Sequence, residues 1–172
     1  MAEELTDTAA LRGARFTRVD LSGVRMRDVN LPESVRQERV EEEWSLVETL
    51  RHLVFVTDAW FGRAVLGRDH PYHPFGLVAA FLGDGSQLGL DPAAAAPSFA
   101  EVLTVREARV DEVRAYLDAV DADELSRPRR GDDDRGYPPP TTHTVLECLH
   151  VVMDEEWCHH QYAARDLAVL TA

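Results

Sequence analysis

The chain has 172 residues, 45% of them hydrophobic, and a formal net charge of −13. That is enough apolar chain for one domain with a real core, which excludes general disorder, and the negative charge argues against nucleic acid and anionic membrane surfaces as partners. No apolar run approaches the ~20 residues of a membrane span, and MAEELTDTAA lacks the basic and apolar regions of a signal peptide, so a cytoplasmic protein is expected. All 18 basic residues are arginine, with no Lys or Ile and a single Asn. Those three residues have AT-rich codons, so the pattern reflects a GC-rich bacterial genome and not a function.

The N-terminal segment is repetitive. In fives from Ala9 it reads AALRG, ARFTR, VDLSG, VRMRD, VNLPE, with Leu11, Phe16, Leu21, Met26 and Leu31 always at the third position. A period of five fits neither helix nor strand. It resembles the pentapeptide-repeat coil, in which small and larger apolar side chains alternate inward. Five units amount to little more than one coil, which must lean on another element. Residues 1–33 are therefore read as a repeat-like segment and 34–172 as the main domain.

From Trp44 the period becomes helical. Ser45 with Glu48 forms a capping box, Gly67 is a natural stop, and apolar residues from Leu46 to Val65 occur on nearly every side. Such a helix is mostly buried. Residues 67–97 carry Gly, Pro and HPYHPF and read as a long loop with one short helix around 76–82. Ser98 and Glu101 open a second long helix, with Phe99, Leu103, Val110, Val113, Leu117 and Val120 as its apolar stripe. SRPRRGDDDRGYPPP, residues 126–140, reads as a mobile linker. Thr144 and Glu147 open the last helix, which runs to about Leu170. Three long helices, and no convincing strand beyond the repeat, predict an all-α antiparallel bundle.

With Val152 at zero on a helical wheel, Val145, Cys148, Leu149, Ala163 and Leu170 fall within about 60°, Glu155 lies at about −60° and His159 at about −20°. Leu146, Met153, Trp157 and Ala164 extend the apolar face on the other side. A carboxylate and an imidazole at the margin of a buried stripe cost several kcal/mol if left unpaired. His52, alone among apolar neighbours on the Ser45–Leu66 helix, is the candidate partner. Together His52, Glu155 and His159 make a set suited to a divalent transition metal, with imidazole pointing to Zn or Ni and positions left open for water or a thiolate. The competing reading is a core histidine hydrogen-bonded to Glu155. His150 and His160 point elsewhere, Glu48 serves its capping box, Asp154 and Glu156 are expected to be solvated, and His70 and His73 belong to loop structure. Cys148 and Cys158 would lie ~15 Å apart along one helix, beyond the ~7 Å that a disulfide spans, and neither has an activating cation. There is no phosphate loop, Ser/His/Asp arrangement or CxxC pair.

WSLVETLRHLVFVTDAW followed by LHVVMDEEWCHHQYAARDL resembles the DinB-like (damage-inducible) four-helix bundle superfamily, in particular its actinobacterial members, which include relatives of mycothiol-dependent maleylpyruvate isomerase. Several such proteins also begin with pentapeptide-like segments. The resemblance implies a metal held by a histidine of the second bundle helix and two ligands four apart on the last, which here fall on His52, Glu155 and His159. It further implies a mycothiol-type low-molecular-weight thiol as co-substrate of a transferase or isomerase, with a non-catalytic metal-binding or interaction module as the alternative. One departure stands out: only about ten residues separate the repeat from Trp44, too few for the family's first helix. That helix is expected to be shortened or missing, leaving apolar side chains of the next helix to be covered either by the repeat and SVRQERVEEE or by another chain, and a homodimer is expected.

Overall fold

The computed structural model describes residues 32–91, 96–131 and 137–170, all within the unit Leu31–Ala172. The repeat-like segment 1–33 lies outside the described residues except for its last two positions.

The elements are α1 (Glu33–Gln37), α2 (Leu46–Thr57), α3 (Phe99–Ala119), α4 (Ala122–Leu125), β1 (Pro128–Arg130), β2 (Thr142–Thr144) and α5 (Val145–Leu170). The expected all-α architecture is present, and among the described residues the only helix before α2 is the five-residue α1. Each long helix starts where its box predicts. The Ser45 hydroxyl accepts from the Glu48 N–H while the Glu48 carboxylate accepts from the Ser45 N–H. Ser98 with Glu101 and Thr144 with Glu147 do the same. These reciprocal bonds satisfy backbone donors that no helix can satisfy for itself. Gly67, at φ +69°, ends the first rod in the left-handed region that favours glycine.

α2 lies between α3 and α5, touching both, and continues without a break into a π-helical stretch, Asp58–Val65, that packs on α5. Val54, Phe55 and Phe61 of this rod, Val102 of α3 and Val145 and Val152 of α5 are fully buried. From Arg51 to Phe61 no residue of this rod is exposed. The expected uncovered face on α2 is therefore absent; the N-terminal half of α5 carries one instead. Leu146, Met153 and Trp157 are 40–50% exposed, because α5 meets α2 and the π-helical stretch on its opposite side.

Three further expectations are corrected. On α3 the buried line is Val102, Arg106 and Val113, whereas Leu117 is 45% exposed. The apolar stripe misled because the face turned to α2 includes arginines, whose long stems cover apolar surface while their heads find carboxylates. The 126–140 linker contains β1, which pairs antiparallel with β2 just beyond the linker, with Pro128 opposite Thr144 and Arg130 opposite Thr142. Such a short ladder has no alternating apolar signature; Arg129 holds it in place by donating to the Val65 carbonyl and pairing with Glu124. The short helix near 76–82 is a single 3-10 turn at Ala80–Leu82, followed by another at Ser86–Leu88.

Both cysteines are free thiols. Cys148 is buried against the core, and desolvation pushes its thiol up to about 11, whereas Cys158 is exposed. One thiol per chain should therefore react rapidly with an aromatic disulfide reagent at neutral pH, the second only on unfolding. Two fast equivalents in the native protein would place Cys148 outside the core.

Candidate metal centre

The wheel puts Glu155 and His159 one turn apart on α5, and α2 brings His52 opposite them. A donor atom of each residue lies within 4.8 Å of the others. Glu155 Oε2 is 3.1 Å from His159 Nε2 and 3.6 Å from His52 Nε2. The side chains are 6% exposed for His52, 14% for His159 and 35% for Glu155, so the group is walled on the protein side and open at the carboxylate.

Which ring nitrogen of His52 faces the carboxylate follows from its other neighbour. His52 Nδ1 is 3.0 Å from the Leu77 carbonyl oxygen, which can only accept. The Nδ1 proton is thereby fixed, and in the neutral ring Nε2 carries a lone pair aimed at an ionised carboxylate. Two acceptors face each other at 3.6 Å. The contact is favourable only with positive charge between them, as a proton on Nε2 or as a cation. The carboxylate itself stays ionised: the neighbouring imidazoles, His159 first and then His52, hold Glu155 down at about 2, against the desolvation that raises it. A carboxylate, an imidazole oriented through its second nitrogen by a backbone carbonyl, and a second imidazole one helical turn from the carboxylate fit a divalent transition metal.

Two parts of this site escaped the sequence reading. Trp44 roofs it, with its ring centroid 4.6 Å from that of His52 and 5.8 Å from His159, nearly parallel to the latter. Its only sequence signal is that it immediately precedes the N-cap, where a bulky apolar residue often folds back over the helix. The strand of chain carrying Trp44 is tied down by the Glu43–Arg165 ion pair and preceded by a turn in which Glu41 and Glu42 both take positive φ. Leu77 is the second. Its N–H donates to the Arg51 carbonyl and its own carbonyl receives His52, so a loop residue sets the ring orientation.

The remaining candidates go elsewhere. His150 and His160 are exposed, and His160 stacks on Trp157. Glu48 is engaged by Ser45 and Arg39. Asp154 is exposed as expected, but Glu156 is not free in solvent: it accepts from the buried Arg106 at 2.6 Å. His73 is loop structure, donating its N–H to Asp58 and accepting the Phe75 N–H on Nδ1. His70 is exposed, on a shallow cavity with Arg63 and Tyr72.

No helix among the described residues is long and apolar enough to cross a membrane. No curated protein and no solved structure gives a significant match to the sequence. The family model of the DinB superfamily matches residues 23–163, which is most of the chain and includes His52, Glu155 and His159; the protein is a member of the DinB superfamily.

Proposed function

We propose that the chain binds one divalent transition metal, Zn or Ni by imidazole preference, through His52, Glu155 and His159, and that it acts on a mycothiol-type low-molecular-weight thiol as a transferase or isomerase. The observation that carries the metal is the pair of facing acceptors, His52 Nε2 and Glu155 Oε2, which needs a positive charge between them. A divalent cation there would lower the pKa of a coordinated thiol and supply a thiolate at neutral pH. The protein's own contribution is geometric. Leu77 fixes the His52 ring, Trp44 excludes water from one side, and the third-exposed Glu155 leaves the other side reachable by an external ligand. The test is to load purified protein with Zn or Ni and follow consumption of mycothiol with a panel of electrophiles. Consumption above the blank, abolished by chelator, supports the reading; metal uptake with no thiol consumption moves it to the non-catalytic module. That second reading is favoured by one observation: among the described residues the only helix before α2 is the five-residue α1.

A homodimer belongs to the same proposal, now on the exposed Leu146, Met153 and Trp157 of α5. Light scattering at micromolar concentration should give twice the chain mass, reduced towards the single chain by Trp157→Glu. A single-chain mass for the unaltered protein ends the dimer.

A further inference from the structure

The two imidazoles of the metal centre are held in different ways. His52 has an orienting hydrogen bond, from Nδ1 to the Leu77 carbonyl. His159 has no such bond: its Nε2 faces Glu155 at 3.1 Å, and among the described residues its Nδ1 makes no hydrogen bond. A histidine ring turns about its Cβ–Cγ bond over a broad range, and a metal-ligating histidine is ordinarily fixed by a partner on its second nitrogen. Aromatic rings stand in for that partner here. The Trp44 indole lies over the His159 ring at 5.8 Å between centroids and 23° from parallel, while Tyr162 meets it at 5.7 Å and His52 at 4.9 Å, both edge to face. Turning the imidazole would drive its edge into the indole. The stack therefore opposes the rotation that takes Nε2 away from Glu155.

Trp44 is delivered to this place by a strained turn. The Glu43 N–H donates to the Val40 carbonyl at 2.9 Å, and between them Glu41 and Glu42 stand at φ +50° and +65°. Two consecutive residues with side chains in the left-handed region are costly, and such strain persists only where the surroundings over-determine it. Ion pairs tie down both sides of the turn: Arg39 before it to Glu48 of α2, and Glu43 after it to Arg165 of α5. The segment is thus fastened to the two helices that carry the metal donors. We infer that Trp44 is a positioning residue for His159, held over the imidazole by the Val40–Glu43 turn, a role that rests on the binding of a divalent cation proposed above.

The test measures the affinity of the full chain for Zn by competition with a chelating dye, beside the urea midpoint of the metal-free protein. Trp44→Leu keeps apolar bulk but loses the flat face. It should bind Zn about tenfold more weakly, the lower end of what outer partners of metal ligands contribute, with the urea midpoint little changed. Trp44→Phe restores a face and should regain most of the affinity. With Co(II) in place of Zn, the visible bands that report ligand geometry should change in Trp44→Leu and return in Trp44→Phe. Glu41→Pro forbids a positive φ without touching any group of the centre and should weaken Zn as Trp44→Leu does, whereas Glu41→Gly, at ease there, should not. That pair decides the matter should Trp44→Leu fail to fold. Equal Zn affinity in Trp44→Leu and the unaltered protein, no recovery in Trp44→Phe, or unchanged affinity in Glu41→Pro each overturns the positioning of His159 by Trp44 and its turn. Unaltered protein that takes up no Zn overturns the metal reading itself, and this role with it.

Discussion

Alanine at His52 is expected to abolish stoichiometric metal while leaving the bundle folded. His52 is the one donor of the set that comes from a distant helix; the other two share a turn of α5 and stay together whatever α2 does. Outer-shell partners of metal ligands are worth 10–100-fold in affinity. Loss of an inner ligand should therefore exceed about 100-fold, enough for elemental analysis after dialysis to read empty protein. His159→Ala should behave likewise. Glu155→Ala should weaken binding, because it removes the carboxylate of the set. His150→Ala and His160→Ala, both on the exposed side, should leave metal content unchanged. Unaltered protein that takes up no Zn or Ni on dialysis would make the set a protonated core cluster. Metal that survives His52→Ala would place the site on α5 alone.

Removing the Asp58 carboxylate should be the most destabilising single change outside the apolar core. Asp58 is 1% exposed at the start of the π-helical stretch, and it ties two other elements to that stretch. Its Oδ2 accepts the His73 N–H at 2.8 Å, anchoring the long loop, and its Oδ1 accepts Arg109 Nε at 2.5 Å, anchoring α3. Asp58→Ala strands the Arg109 charge and an N–H together, and breaking a buried pair in this way costs about 3–5 kcal/mol. Asp58→Asn should cost clearly less. Burial pushes the Asp58 carboxyl above its ordinary value even against the His73 N–H and Arg109, so losing the charge is the smaller part of the cost, and Asn keeps one of the two acceptors while its NH2 meets the other donor. Urea unfolding of the two variants reads the difference directly; equal midpoints would mean that the charge is what holds the loop.

What could be read from the sequence divides by range. The starts of the long helices depend on residues three apart, Ser45 with Glu48, Ser98 with Glu101 and Thr144 with Glu147, and these were legible because the chemistry is local. The wheel on the last helix placed Glu155 and His159 at the edge of a buried arc, and the structure gives them intermediate burial beside His52. Trp44, Leu77 and Arg106 were not legible, because each acquires its role from a partner far along the chain: His52 and His159 for Trp44, His52 for Leu77, Glu156 for Arg106. The α3 stripe held only in part, with Val113 buried and Leu117 exposed, for the same reason. Periodicity counts apolar residues, and that interface is partly built from arginine stems.

The π-helical stretch also explains why apolar residues seemed to surround the Ser45–Leu66 rod. Its coil closes on the fifth residue back, as the Leu66 N–H does on the Phe61 carbonyl at 3.0 Å, so each turn holds about one residue more than an α-helix. A wheel drawn at constant pitch from His52 drifts out of step beyond Asp58. The wide coil acts as a phase shifter between two halves of one rod: upstream, His52 keeps time with α5, and downstream, Trp60, Phe61 and Val65 keep time with the core. Deleting one residue between 59 and 64 would restore a regular helix at the cost of that offset. One half would swing by about 100° against the other, and either the donors or the core would be left facing the wrong neighbour.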